Sequence, residues 1–491
     1  MVVNHRPDYI VVGAGSAGCV VARVLAEAGF RVCLIESGST SPPDPWPSAY
    51  LSRFGTDDDW GFQTLPQPQL SSRRLACPRG RGVGGSTRIN ATIWYPPTHL
   101  DMQHLETVGG DFWSVAAMTD ALQKVTDWVK PESPQYCSPI IRRVLETSAA
   151  KSLGWAPFAR MTSGGLRRTS ADVLRDSPSS AKVTILTGTV RRVRFRDQTA
   201  IGVDVLTGEG RTESIAAKRG VILSAGTIQS PQILVQSGIG PACVIRELGI
   251  DRIHECPSVG ANLSDHLIMP VIYQTSPADC FVTDDSSASR SSNLAEAGGT
   301  MGLEPSGGAG GEDPFQVHIT PTHYLTYPSP RSPAAMTIGV NLRRPKSRGR
   351  IEWTKGAEPG TCVPSIDPGY LSDPSDAASM ITAIRRVREI AQSADLASIL
   401  GEELVPGPQR TGDEAILRSV QRYSLSLYHP CGTSAMGAAA SSVVDHRLAV
   451  RGVAKLHVID ASVLPSVPSL NPNALVMAIS GQVANAVCPA S

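Results

Sequence analysis

The sequence predicts an α/β fold built on a doubly wound parallel sheet, and three observations lead to that prediction. The chain opens with an apolar run at 9–12, a glycine turn at 13–18 and an apolar helical run to Gly29. A second apolar run then ends in the acid Glu36, and a third, at 220–223, ends in a turn. Strand, turn, helix and strand in this order form a βαβ unit, whose parallel strands are buried on both faces.

The turn after the first strand has the residues that a phosphate-binding turn needs. Gly13 permits a tight bend, Gly15 lets the backbone approach a pyrophosphate, and Gly18 lets helix and strand pack closely. A helix beginning near Ser16 directs free N–H groups at the phosphates, and Glu36 can accept hydrogen bonds from a ribose hydroxyl. A glycine turn alone can be purely structural, but the full unit favours a dinucleotide, either NAD or FAD.

A second glycine-rich loop lies at 80–85 and contains four glycines, followed by Ser86 and Asn90. A loop of this kind exposes backbone donors that can surround a phosphate or a polar ring. The apolar run at 93–95 anchors it in a core, which disfavours a flexible linker.

Composition argues against several classes of protein. Lys+Arg 45 and Asp+Glu 44 nearly cancel over 491 residues, which disfavours nucleic acid as a partner. The ten cysteines form no CxxC pair or Cys/His cluster, so we expect reduced thiols and no metal site. We also expect no signal peptide and no membrane span, and therefore a cytoplasmic protein.

The remaining elements follow from periodicity and punctuation. Alternation predicts antiparallel strands at 184–195 and 200–206, with further strands at 315–319, 336–342, 348–353 and 456–462. Helices are predicted at 116–129, from the Ser230-Pro231 start to Ser237, at 376–392, and from the 471–475 segment to about Val487. The Gly/Ser-rich segment 275–314 is predicted to be a mobile loop or lid, with disorder as the simplest interpretation.

Five ordered motifs resemble those of the glucose–methanol–choline (GMC) oxidoreductase family of FAD enzymes, over nearly the whole chain. They lie at 82–90, 224–231, 237–241, 259–266 and 429–433. The resemblance implies FAD rather than NAD. It implies two interleaved domains, a Rossmann-like FAD-binding domain (1–40, 75–95, 180–265, 430–491) and an α+β substrate-binding domain on a mixed or antiparallel sheet (41–74, 96–179, 266–429).

The resemblance also assigns residues to the flavin site. The cofactor-binding residues it implies are Gly13, Gly15, Ser16, Ala17, Gly18, Glu36, Val83, Ser86, Asn90, Ala91, Thr92, Ile93, Val190, Asp460, Ala461 and Pro472. Some relatives attach the flavin through a histidine in the second glycine loop. Ile89 stands at that position here, so we expect non-covalent FAD.

Alcohol oxidation removes a hydroxyl proton and a hydride from one carbon, so a flavin enzyme needs a positioned base. Histidine suits this task because its intrinsic pKa lies near neutrality. The resemblance places the base at His429 and the group that fixes the hydroxyl at Asn473. Asn473 could instead be only a helix cap. Asp265 and His266 are interpreted as structural, and Cys431 as a small pocket-lining residue.

The predicted function is oxidation of a small-molecule alcohol to an aldehyde or ketone, with oxygen, a quinone or another carrier as electron acceptor. Two alternatives on the same fold are an FAD-containing lyase that cleaves cyanohydrins and a light-driven decarboxylase. The pair of His429 and Asn473 favours alcohol oxidation over both. The sequence does not identify the alcohol.

Overall fold

The structure, a computed structural model, describes residues 6–277, 287–303, 313–327, 329 and 331–487. Its helices are α1 Ser16–Glu27, α2 His99–Gly109, α3 Val115–Val129, α4 Pro139–Glu146, α5 Ser148–Ser152, α6 Ser170–Arg175, α7 Gly226–Gln236, α8 Ala242–Leu248, α9 Ser287–Arg290, α10 Pro374–Ala391, α11 Ala394–Ala397, α12 Asp413–Tyr423 and α13 Asn473–Val487. Its strands are β1 Tyr9–Val12, β2 Val32–Glu36, β3 Phe62–Gln63, β4 Ala76–Cys77, β5 Ala156–Pro157, β6 Thr162–Ser163, β7 Leu166–Arg167, β8 Val183–Thr187, β9 Thr189–Arg196, β10 Thr199–Leu206, β11 Thr212–Ala216, β12 Gly220–Leu223, β13 Ile239–Gly240, β14 His254–Glu255, β15 Leu267–Gln274, β16 Ala297–Met301, β17 Phe315–Thr320, β18 Ala335–Leu342, β19 Arg350–Lys355, β20 Cys362–Asp367, β21 Glu403–Val405, β22 Leu425–Ser426 and β23 Leu456–Val458.

The first of the two main sheets is parallel, and its strand order is β23-β12-β1-β2-β8. β1 lies at its centre and pairs in parallel with β2 and β12. Every residue of β1, β2 and β12 is buried, as continuous apolar runs in a parallel sheet require. α1 joins β1 to β2 and packs against α13, which in turn packs against α3. This confirms the predicted α/β fold.

β8 corrects the prediction of an antiparallel strand over 184–195. It pairs in parallel with β2 at the edge of the sheet, and Gly188 separates it from β9. A Cβ at Gly188 would lie 2.6 Å from the side chain of Val205, so the chain bends there without a side chain. None of the residues of β8 is fully buried, so it lacks the continuous apolar run that marks the central parallel strands, which explains the error.

A second, antiparallel sheet runs in the order β21-β15-β18-β17-β16-β5, with β22 also paired to β15. β17 and β18 are buried along their whole length, and α10 packs on β18. The two sheets belong to two large, separate apolar clusters. The exact division of the chain into interleaved domains stays a prediction.

β16 corrects the prediction of disorder over 275–314, because it is a regular strand between β17 and β5. Its glycines, which suggested a loop, are required by packing. A Cβ at Gly298 would lie 2.0 Å from the Val317 carbonyl oxygen, and one at Gly299 would lie 3.0 Å from the Trp155 ring. The rest of that prediction falls partly on 278–286 and 304–312, which lie outside the described residues.

α7 begins at Gly226, about one turn before the predicted start at Ser230-Pro231. Pro231 has no N–H for the carbonyl oxygen of Thr227, four residues earlier. The Thr433 hydroxyl donates to that oxygen instead, at 2.6 Å, so the helix tolerates an internal proline. None of the helices in the described part of the chain is both long and apolar enough to cross a membrane.

Candidate active site

A cavity of about 570 Å³ lies between the glycine turn of the parallel sheet and the buried face of the antiparallel sheet. Its volume is in the range of small-molecule and cofactor sites. Most of the predicted cofactor residues line it: Gly13, Gly15, Ser16, Ala17, Glu36, Ser86, Asn90, Ala91, Ile93, Val190, Asp460, Ala461 and Pro472. The cavity therefore brings together groups from both ends of the sequence.

The three glycines of the first turn have different surroundings. Gly13 has φ +95°, and a Cβ there would lie 2.5 Å from the Ser224 carbonyl oxygen. A Cβ at Gly18 would lie 1.9 Å from the Gly13 carbonyl oxygen, so Gly18 serves helix packing and does not line the cavity. A Cβ at Gly15 would approach only Gly85, at 3.8 Å. Gly15 therefore keeps the cavity side of the turn open, which fits a pyrophosphate.

Glu36 ties the two glycine loops together. Its Oε2 accepts from the Ala14 N–H at 2.9 Å, and its Oε1 accepts from the N–H groups of Gly38 at 2.9 Å and Gly82 at 3.0 Å. The side chain is buried but borders the cavity. A carboxylate has about four acceptor sites, so one remains for a ribose hydroxyl.

Two residues, one in the second loop and one shortly after it, do not line the cavity, although the resemblance placed them there. Val83 is buried in the apolar cluster, and its N–H donates to the Ser39 carbonyl at 2.9 Å. Thr92 has φ +57° and is buried, with its N–H bonded to Asn90 Oδ1 at 3.0 Å. Both residues shape the loop that presents Asn90 to the cavity.

The Asp460 carboxylate accepts hydrogen bonds from other groups of the protein. It accepts from the Ser230 hydroxyl at 2.5 Å, the Gly226 N–H at 2.9 Å and the Ser462 N–H at 2.8 Å. Burial raises its pKa, while these hydrogen bonds oppose that shift. Asp460 therefore fixes the first turn of α7 against the strand end, beside Ala461 and the cavity.

His429 lies in a loop whose backbone is held by Asp265. The Asp265 carboxylate accepts from the N–H of His429 at 2.8 Å, the N–H of His266 at 2.9 Å, the Ser426 hydroxyl at 2.6 Å and the Tyr370 hydroxyl at 2.5 Å. Four donors satisfy one buried carboxylate, as a buried charge requires. Asp265 is structural, as predicted, and it positions two histidines at once.

His266 contacts His429 directly, which the sequence did not predict. Their Nδ1 atoms are 3.0 Å apart, and His266 Nε2 is 3.1 Å from the Arg343 carbonyl oxygen. Burial lowers the pKa of His266 to about 4, so its ring is neutral at pH 7. A carbonyl oxygen only accepts, so Nε2 of His266 carries the hydrogen and its Nδ1 accepts from Nδ1–H of His429. Neutral His429 then has its lone pair on Nε2.

The pKa of His429 is well below the usual histidine value. Burial is the largest cause, and coulombic interactions with His266, His318 and Arg79 lower the pKa further. His318 also lines the cavity, and its buried Nε2 has no hydrogen-bond partner in the structure. At neutral pH, His429 is therefore an uncharged ring able to accept a proton. The only feature of the sequence that pointed to its partner His266 was the Asp265-His266 pair just before β15.

The structure places two asparagines at the cavity. Asn473 begins α13, and its Oδ1 accepts from the Ser16 hydroxyl at 2.7 Å, while its Nδ2 lies 4.0 Å from Met161 Sδ. Asn471, which the sequence interpretation did not select, accepts from Gln316 Nε2 at 3.0 Å. Gln316 precedes His318 by two residues on β17, so both point to one face of the sheet.

Cys431 corrects another expectation, because it is fully buried and does not line the cavity. Its Sγ lies 3.3 Å from the His429 carbonyl oxygen, and burial raises its pKa. Ile89, which the resemblance places where a histidine could be bound to the flavin, does line the cavity.

Models of GMC oxidoreductases match residues 7–268 and 345–480, which together cover most of the chain. The chain belongs to the GMC oxidoreductase family. It is 32% identical to an alcohol dehydrogenase [acceptor] of Pseudomonas putida, over 98% of this chain and 95% of that one. It is 30% identical to an oxygen-dependent choline dehydrogenase of Photobacterium profundum, over 99% and 93%.

A crystal structure of pyridoxine 4-oxidase from Mesorbium loti resembles this GMC oxidoreductase with a TM-score of 0.87 at 26% identity, covering 98% of each chain. A crystal structure of formate oxidase has the same TM-score at 23% identity, and at this identity the likeness shows only a shared fold. The protein is therefore an FAD-dependent oxidoreductase with the fold of the GMC flavoenzymes. The geometry fits the cofactor, since the Gly15 side of the turn is open and Glu36 keeps a free acceptor site.

Proposed function

We propose that this GMC oxidoreductase oxidises an alcohol to an aldehyde or ketone, with His429 as the base. The observation that carries the proposal is the contact between His429 and His266, which leaves the lone pair of His429 on Nε2. The relative from Pseudomonas putida, named an alcohol dehydrogenase, supports the same class of substrate. The small-molecule alcohol gives its electrons to FAD, which a second substrate such as oxygen or a quinone reoxidises.

FAD would be held without a covalent bond. Gly13, Gly15 and Ser16 would bind its phosphates, because they line the cavity at the start of α1, and Glu36 would bind its ribose from the end of β2. Ile89 has no nucleophilic atom to form a bond with the flavin. When bound, FAD supplies an acceptor for the hydride that leaves the carbinol carbon.

His429 would take the hydroxyl proton at Nε2. Its pKa is lowered mainly by burial, so the neutral base is present at neutral pH. Once protonated, the ring still donates Nδ1–H to His266, whose own Nε2–H is bonded to the Arg343 carbonyl. This chain of two hydrogen bonds holds the ring in one orientation and directs dipoles that stabilise its positive charge.

Asn473 would fix the substrate hydroxyl through its Nδ2–H₂ group, since its oxygen is already engaged by Ser16. Asn471 is the second candidate for this role, because its partner Gln316 lies on the strand that carries His318. Alanine at the asparagine that contacts the alcohol should lower the rate of flavin reduction, and alanine at the other should not.

The test is anaerobic mixing of the yellow holoenzyme with a panel of alcohols, followed by flavin absorbance. We expect bleaching with the wild-type protein and retained FAD but little bleaching with His429→Ala. His457→Ala is a matched control, since His457 lies on β23 and does not line the cavity. A flavin that stays oxidised with every alcohol would refute the proposal and favour a lyase.

A further inference from the structure

One end of the cavity lies beyond Glu36, at the edge of the parallel sheet. The cavity crosses the carboxyl ends of the strands, from Asp460 after β23 to Gly188 after β8. The Gly188 N–H donates to the carbonyl oxygen of Glu36 at 2.8 Å, and Val190 also lines the cavity. FAD phosphates at the turn after β1 and a ribose at Glu36 leave the adenine beyond β2, beside Val190. We call the part of the cavity around Val190 the adenine end.

The hairpin of β19 and β20 borders the adenine end. Four residues of its turn line the cavity, namely Gly356, Ala357, Glu358 and Thr361. The turn is closed on itself, because the Gly356 N–H donates to the Thr361 carbonyl oxygen at 2.9 Å and the Thr361 hydroxyl donates to the Glu358 carbonyl oxygen at 2.7 Å. The turn can therefore move as one unit.

The two ends of this hairpin differ in burial. At its base, Ile351 and Trp353 are buried, and the Ile351 N–H donates to the Gly260 carbonyl oxygen at 2.7 Å. Towards its tip, most residues from 354 to 359 are exposed. Segments with few buried contacts open at low free energy, so the tip can swing while the base stays in place.

Contacts with α7 and β9 hold the tip in the closed position. Gln236 Oε1 accepts from the Cys362 N–H at 3.0 Å, and Gln232 Nε2 donates to the Cys362 carbonyl oxygen at 2.6 Å. At the tip, Arg191 Nη2 on β9 lies 3.0 Å from both carboxylate oxygens of Glu358. Both members of this ion pair line the cavity, so the pair bridges the adenine end.

We propose that the β19–β20 hairpin is a strap over the adenine of FAD, with the Arg191–Glu358 ion pair as its latch. FAD leaves when the pair breaks, the bonds between Cys362 and α7 open, and the tip swings away from β9. The latch therefore sets the lifetime of the bound cofactor. An exposed ion pair contributes little to the stability of a fold, so thermal unfolding does not depend on it. This inference rests on the non-covalent FAD of the proposed function, but not on the reaction at His429.

The test follows the release of FAD from diluted holoenzyme, as flavin that passes an ultrafiltration membrane over time. We expect Glu358→Gln to release FAD about two- to fivefold faster than the wild-type protein, the range for one exposed ion pair. Arg191→Glu and Glu358→Arg should each speed release, and the variant that combines them should return to near the wild-type rate. High salt should remove the difference between wild type and Glu358→Gln, because salt screens the pair.

Glu352→Gln is a matched control on the same hairpin. Glu352 is exposed on β19, pairs with Arg350 at 2.6 Å and does not line the cavity, so this variant should keep the wild-type release rate. Hydrogen exchange of the Cys362 amide gives a second measurement, because opening breaks its bond to Gln236. In the FAD-bound protein, this exchange should be faster in Glu358→Gln than in wild type, with thermal unfolding unchanged.

Three results would contradict these expectations in different ways. Equal release from wild type and Glu358→Gln, or a combined reversal that releases FAD as fast as the single reversals, would overturn the latch. Flavin that stays with the denatured protein would overturn non-covalent attachment and the strap together. Flavin that no alcohol reduces, in a protein with the expected release rates, would overturn the proposed function and support the strap.

Discussion

Replacing His266 with phenylalanine keeps a planar ring but removes the nitrogen that accepts Nδ1–H of His429. In the wild-type protein those Nδ1 atoms are 3.0 Å apart, and both rings are buried. Leaving a buried donor without a partner costs about 1–3 kcal/mol. Since about 1.4 kcal/mol corresponds to tenfold, we expect flavin reduction to slow by roughly 5- to 150-fold. The loss arises because His429 can then rotate or adopt the other tautomer.

Asparagine at the same position separates a positioning role from a structural one. The Oδ1 atom of asparagine lies near the place of histidine Nδ1, so His266→Asn should still accept from His429 while losing the bond to the Arg343 carbonyl. We expect His266→Asn to recover most of the reduction rate lost in His266→Phe, with FAD bound in both. Stopped-flow absorbance under anaerobic conditions measures the rate, and His104→Phe on α2 is a matched control. A His266→Phe enzyme within twofold of wild type would refute the tautomer argument.

Three further predictions concern the base, the glycine turn and the asparagines. The pKa of His429 is lowered, so the neutral base should persist on acidification, and the reduction rate should fall only below the usual histidine range; a fall centred at 6.5 would contradict this. Gly18→Ala places a Cβ 1.9 Å from the Gly13 carbonyl oxygen and should lower stability by about 1–3 kcal/mol with loss of FAD, whereas Gly481→Ala on α13, where no atom is closer than 3.8 Å, should be tolerated in thermal unfolding. Asn473→Ala and Asn471→Ala should differ in reduction rate, and equal rates would show that neither carboxamide positions the alcohol.

The sequence predicted the parts of the fold that depend on local pattern. β1, α1, β2 and β12 follow from apolar runs and a glycine turn, because buried parallel strands are apolar throughout. The predictions for β8 and β16 were wrong because the strands that pair with these segments, and not their own residues, determine their structure. β8 lies at the edge of the sheet and has no buried residue, and Gly298 must be a glycine because a Cβ there would clash with Val317 on the next strand.

The residues of the candidate site could be predicted where they belong to a sequence motif, but not where they come together from distant segments of the chain. His429 and the first glycine turn were selected from motifs. His266 was missed because its role depends on a contact across 163 positions of the chain, which no local pattern records. The edge-to-face contact between the rings of Phe54 and Tyr428, 5.2 Å between centroids, likewise joins two distant segments of the chain.

The most direct test of the account is the rate at which an alcohol bleaches the flavin of His429→Ala under anaerobic conditions. The variant should bind FAD as the wild-type protein does, because His429 takes no part in the glycine turn. The account predicts that an alcohol which rapidly reduces the wild-type flavin leaves the flavin of the variant yellow. Reduction of the variant at the wild-type rate would show that another group takes the proton.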